Sequence, residues 1–108
     1  IHLLRIGVTS FMTGTEALDV HAAVVNAFLE GDEETAAQVY YTRLLPYLMF
    51  YSDHNRELLK WMLYHRGIID CPKVIPPVGR PLMSPAKWKE FEWLLERAGL
   101  NSRWPNIP

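Results

Sequence analysis

The chain has 108 residues, 49% of them apolar, and sets 11 basic side chains against 12 acidic ones for a net charge of −1. A chain of this length buries roughly two thirds of its unfolded surface, enough for one core without disulfides or a structural metal. The balanced charge excludes a basic stripe for nucleic acid or an anionic membrane surface, and no apolar run approaches the ~20 residues of a membrane span. A single cysteine, Cys71, excludes an internal disulfide framework and leads to the expectation of a reducing, cytoplasmic setting.

The sequence opens on Ile1-His2-Leu3-Leu4-Arg5, with neither an initiator methionine nor a charged-then-apolar leader. Apolar residues at that position, where polar frayed ones are the rule, lead to the expectation of a piece of something longer. Residues 1–6 read as a short helical scrap. Gly7-Val8-Thr9-Ser10-Phe11-Met12-Thr13-Gly14 then places β-branched and aromatic residues between two glycines, the composition of a short buried strand. A lone strand cannot satisfy its own backbone groups, so its ladder partners are expected from elsewhere.

From Leu18 the period turns helical, with Val20, Ala23, Val24, Ala27 and Phe28 at three- and four-residue spacings and Gly31 as the stop. Asp32 is placed to cap the next helix, with Glu33 and Glu34 in its first turn. That helix carries Ala36, Tyr40, Leu44, Tyr47 and Leu48 on one face, and Pro46 inside it predicts a kink or a break. Ser52-Asp53-His54-Asn55 reads as a turn and a new N-cap, opening a third helix with Leu58, Trp61, Met62 and His65 on one face and Gly67 as its end. Residues 68–83, with Pro72, Pro76, Pro77, Gly79 and Pro81, read as an extended crossover. Ser84-Pro85 opens a fourth helix with Trp88, Phe91, Leu95 and Ala98 in register and Gly99 as its stop. The expected fold class is therefore mainly α, one strand plus about four helices.

None of the residues that carry chemistry assembles a catalytic site by spacing. Ser52, Asp53 and His54 include the residue types of a hydrolase triad, but consecutive side chains diverge, and the stretch reads as a capping turn. No histidine has a second one three or four positions away, and His65, Asp70 and Cys71 read as a helix end and a loop thiol, not as a metal cluster. Lys60 sits between Leu59 and Trp61, the setting in which a desolvated lysine becomes a Schiff-base nucleophile, yet a solvated ammonium on an apolar stem is the favoured reading. Trp61, Trp88 and Trp93 read as packing residues, since no basic residues are threaded among them as a stacking platform requires.

Taken together, the order of elements resembles the C-terminal third of the class I aldolase family that includes dihydrodipicolinate synthase and N-acetylneuraminate lyase. The stretch NAFLEGDEETAAQVYYTRLLPYL is similar to that family's eighth barrel helix and the start of its helical extension. LLKWMLYHRGII and RPLMSPAKWKEFEWLLERAGL resemble the two segments that follow. FMTG and RGII look closest to the branch of dehydratases and aldolases acting on 2-oxo-3-deoxy sugar acids.

The resemblance implies a (β/α)8 barrel of about 300 residues. Residues 1–31 would supply its last strand and helix, residues 32–100 a C-terminal helical extension, and residues 101–108 a tail. It implies a Schiff-base-forming lyase, an aldolase, synthase or dehydratase, acting on pyruvate or related 2-oxo acids. No metal or dissociable cofactor is implied, and the assembly would be a cytoplasmic homo-oligomer, a tetramer or a dimer. The family's nucleophilic lysine and catalytic tyrosine would both precede Ile1, so this chain alone would hold no catalytic residue. Lys60 matches a lysine of the helical extension and inherits no such role. The substrate-pocket wall would take Thr9, Phe11 and Thr13, which share one parity of the strand, with Gly14 at the rim. The competing expectation is a self-contained helical module over residues 15–100 that binds a partner helix without catalysis.

Overall fold

Apolar residues at helical spacing, punctuated by capping residues, produce helices almost throughout the computed structural model of the chain, which describes residues 1–75 and 83–100, with the backbone alone for 51–56. The elements are α1 (His2–Arg5), a 3-10 turn (Thr15–Ala17), α2 (Leu18–Leu29), α3 (Glu33–Val39), a π turn (Tyr40–Leu44), α4 (Leu45–His65) and α5 (Pro85–Ala98). Among the described residues no helix is long and apolar enough to cross a membrane.

The expected strand is absent from the described residues: 7–14 carry no regular secondary structure. The reason lies in the backbone. Among the described residues no neighbouring strand is present, and none of the N–H groups of residues 9–13 donates to a backbone carbonyl.

Capping chemistry sets most of the helix ends where the sequence puts them. Asp32 accepts from the Thr35 N–H at 3.0 Å and opens α3, and hydrogen bonding from Thr35, through its side chain first and its N–H second, lowers the pKa of the Asp32 carboxyl. Ser84 Oγ accepts from the Lys87 N–H at 3.3 Å and opens α5 ahead of Pro85. Gly99 closes α5 in the left-handed region, at φ 66°. Ser84→Ala is expected to lower stability by about 1 kcal/mol, read as a fall in the urea midpoint with an unchanged m-value.

Pro46 acts upstream of itself. It lacks the N–H that would bond the Thr42 carbonyl, and the chain widens into the π turn of Tyr40–Leu44 just before α4 starts. The expected break is thus a change of helical pitch. One consequence is that Arg43 reaches the far end of α5, where its Nε donates to the Ala98 carbonyl at 2.9 Å and supplies a terminal carbonyl with a partner.

The turn expected at Ser52-Asp53-His54-Asn55 is replaced by continuous helix, so the predicted second and third helices are joined in α4. The side chains of that tetrad lie outside the described residues. Tyr47 in the first turn of α4 and Arg66 at its C-cap both bond Glu16. A local turn signal has yielded to a helix anchored near both of its ends.

That core is made by Tyr47, Leu58 and Met62 of α4 and Phe91 and Leu95 of α5, all essentially inaccessible to water. Val20 and Val24 of α2, Ala36 of α3 and Leu44 of the π turn extend it. The crossover is non-helical through residue 75, as expected; Pro76, Pro77, Gly79 and Pro81 lie outside the described residues, as does the tail 101–108.

Candidate functional site

The 7–14 segment leaves α1 at Gly7 and ends at Gly14, where the 3-10 turn leads into α2. Thr9 is exposed, Phe11 is 41% exposed, and Thr13 and Gly14 are half-buried. Phe11 and Thr13 line a cavity of about 350 Å³ together with His21 and Val24 of α2 and Tyr40 and Leu44 of the π turn. Two of the four predicted wall residues therefore meet at one cavity, while Thr9 stands outside its lining and Gly14 lies behind it against Glu16.

The lining is mostly apolar and, among the described residues, contains no lysine or arginine side chain. Its titratable group of interest is His21, whose pKa lies below the ordinary 6.5 because burial disfavours the imidazolium, with nearby Glu16 and Asp19 acting in the opposite direction. The sign of the linkage follows. The unfolded chain takes up a proton near pH 6.5 that the folded chain resists, so stability should be flat above that pH and fall as pH drops through 6.5 toward the lower folded value. Melting temperatures of the chain and of His21→Gln between about pH 8 and 5 check this, since the variant should lose the part of the slope nearest 6.5.

Beneath Gly14 lies a buried polar cluster that the sequence reading does not single out. Arg66, 1% exposed, caps the C-terminus of α4. Its guanidinium grips Asp19 in a bidentate pair, with Nη1 donating to Oδ1 at 2.8 Å and Nη2 donating to Oδ2. Nη1 also donates to the main-chain carbonyl of Glu16 at 2.7 Å. The Glu16 carboxylate, itself buried, accepts from the Tyr47 hydroxyl at 2.7 Å through Oε1. Asp19 lies in the first turn of α2, where unpaired N–H groups favour a negative charge. The available sequence signal was two acidic residues at a helix start and an arginine before a helix-ending glycine, and neither names the other as a partner.

The remaining candidates fall where packing puts them. Trp61 stacks on His65 at 4.7 Å and meets Trp88 and Phe91 at 5.4 and 5.6 Å, as packing residues do. Trp93 is exposed, with the Arg97 guanidinium 4.3 Å over its ring. Cys71 is free and exposed, Lys60 is exposed on α4, and no group of three metal-ligating side chains occurs among the described residues. No family model matches the chain, nor does any curated protein or solved structure.

Proposed function

We propose that this chain is the C-terminal part of a Schiff-base-forming lyase of the dihydrodipicolinate synthase and N-acetylneuraminate lyase type, acting on pyruvate or a related 2-oxo acid. The observation that carries the reading is the 7–14 segment. It has the composition of a buried strand, its backbone donors at residues 9–13 find no backbone partner among the described residues, and it runs directly into a helix. Strands of a (β/α)8 barrel need neighbours on both sides and are followed by helices, which accounts for both features. The order of capped helices after Gly31, including the extended crossover, also agrees with the resemblance.

In this reading residues 7–14 close the barrel, α2 is its eighth helix, and α3 to α5 form the added helical layer that packs between subunits. Pairing in a sheet would fix the alternation that an unpaired segment lacks, turning Thr9, Phe11 and Thr13 inward with Gly14 at the rim. The catalytic lysine belongs to an upstream strand, and its iminium with the 2-oxo carbon is the electron sink of the reaction. The chain's own contribution is to shape one wall of the pocket and hold it in place.

A second reading, a self-contained helical interaction module, is favoured by the closed core that α4 and α5 build between themselves. The natural coding sequence separates the two. The lyase reading expects about 200 further residues upstream, including a strand that ends in lysine. A start codon at or just before Ile1 would overturn it and leave the module.

A further inference from the structure

We infer that Glu16 is a positioning residue, a buried strut through which α4 fixes Gly14 and the end of the 7–14 segment. The Glu16 side chain folds back under Gly14 so closely that a Cβ on that residue would stand 2.3 Å from Oε2 and 2.6 Å from Oε1. A side chain at Gly14 would fit only if the carboxylate moved away from the Tyr47 hydroxyl, so the place of Gly14 is coupled to the hydrogen-bonded place of Glu16.

Glu16 is in turn held at two points by one helix. Tyr47, in the first turn of α4 and fully buried, donates to Oε1 at 2.7 Å. Arg66, at the opposite end of α4, donates to the Glu16 carbonyl at 2.7 Å while paired with Asp19. Side chain and main chain of the same residue are thereby tied to the two ends of α4. Oε2 accepts no hydrogen bond among the described residues although it is buried. A carboxylate oxygen left so is unfavourable by itself, and it stays in place because the other contacts of Glu16 determine its position.

Phe11 and Thr13 stand immediately before Gly14 and line the cavity. A displacement of Gly14 therefore moves the cavity wall, and Tyr47 and Arg66 act on that wall without lining the cavity themselves. The kinetic consequence rests on the lyase reading, in which Gly14 is the rim of the substrate pocket; the mechanical claim does not.

The test uses the natural protein that carries this chain, compared with Tyr47→Phe and Glu16→Gln by amide hydrogen exchange. Tyr47→Phe should speed exchange by about ten-fold at the start of α2, in peptides covering residues 16–24, the loss of one buried hydrogen bond, and leave peptides covering α5 unchanged. Glu16→Gln keeps an acceptor for Tyr47, and its exchange at 16–24 should rise less than that of Tyr47→Phe. Equal acceleration in α5 and in 16–24 would mean that Tyr47 acts only through global stability, and no acceleration in 16–24 would mean that the strut carries nothing; either result overturns the proposal. In the same protein, Tyr47→Phe should lower pyruvate-dependent turnover while the lysine adduct trapped by borohydride persists. Absence of that adduct in the wild type would remove the lyase reading, and the exchange comparison would still decide the strut.

Discussion

Arg66→Met is expected to destabilise the fold by about 3–5 kcal/mol, the cost of leaving a buried charge without its partner. The Arg66 and Asp19 side chains are 1% and 2% exposed, so water cannot replace the lost guanidinium. Removing it strands the Asp19 carboxylate, and it also takes a donor from the Glu16 carbonyl at the start of α2. The double replacement Asp19→Leu with Arg66→Met removes both charges and should recover most of the loss, because a buried pair and well-packed apolar residues are often of similar stability. Urea titrations of the two single variants and the double variant measure this directly. A single-variant loss below about 1 kcal/mol would show that the pair is solvated.

The second large effect belongs to the aromatic centre. Phe91 is fully buried, with the rings of Phe50, Trp61, Trp88 and Tyr47 at 5.5 to 6.3 Å around it. Phe91→Ala opens a cavity where α4 and α5 meet, and a loss of about 3–5 kcal/mol is expected. The near-ultraviolet dichroism of the surrounding tryptophans should weaken with it, since their fixed geometry depends on the ring they enclose. Trp93→Ala serves as the contrast. That ring is 55% exposed, and its loss should change stability by no more than about 0.5 kcal/mol. Equal effects of the two substitutions would show that Phe91 is not the centre of the core.

These expectations show which features were legible in the sequence. The caps at Asp32 and Ser84 were readable because capping is local, a matter of one oxygen and an N–H three residues on. The buried faces of α4 and α5 were readable because Leu58, Met62, Phe91 and Leu95 repeat at the helical period. Two local signals gave way to tertiary structure. The turn chemistry of Ser52-Asp53-His54-Asn55 yielded to continuous helix, with α4 bonded to Glu16 near both of its ends. The strand composition of 7–14 yielded because ladder bonds need a neighbour that is not among the described residues.

At the site, Phe11 and Thr13 line one cavity and Thr9 does not, and with no strand at 7–14 their shared parity does not account for this. The Glu16, Asp19 and Arg66 cluster was not readable at all. Asp19 and Arg66 are far apart in the sequence, and pairing between distant positions leaves no periodic trace. Only Tyr47, which lies on the apolar face of its helix, was placed in the core from its spacing, and even there its hydroxyl partner was invisible.

Trapping with pyruvate and borohydride in the natural protein tests the lyase reading most directly. The iminium expected between the 2-oxo carbon and a lysine is reduced to a stable secondary amine, which peptide mass mapping can place. The account predicts one stoichiometric adduct on a lysine upstream of Ile1 and none on Lys60, Lys73, Lys87 or Lys89. A stoichiometric adduct on Lys60 would move the nucleophile into this chain, and the absence of any adduct would contradict the Schiff-base assignment altogether.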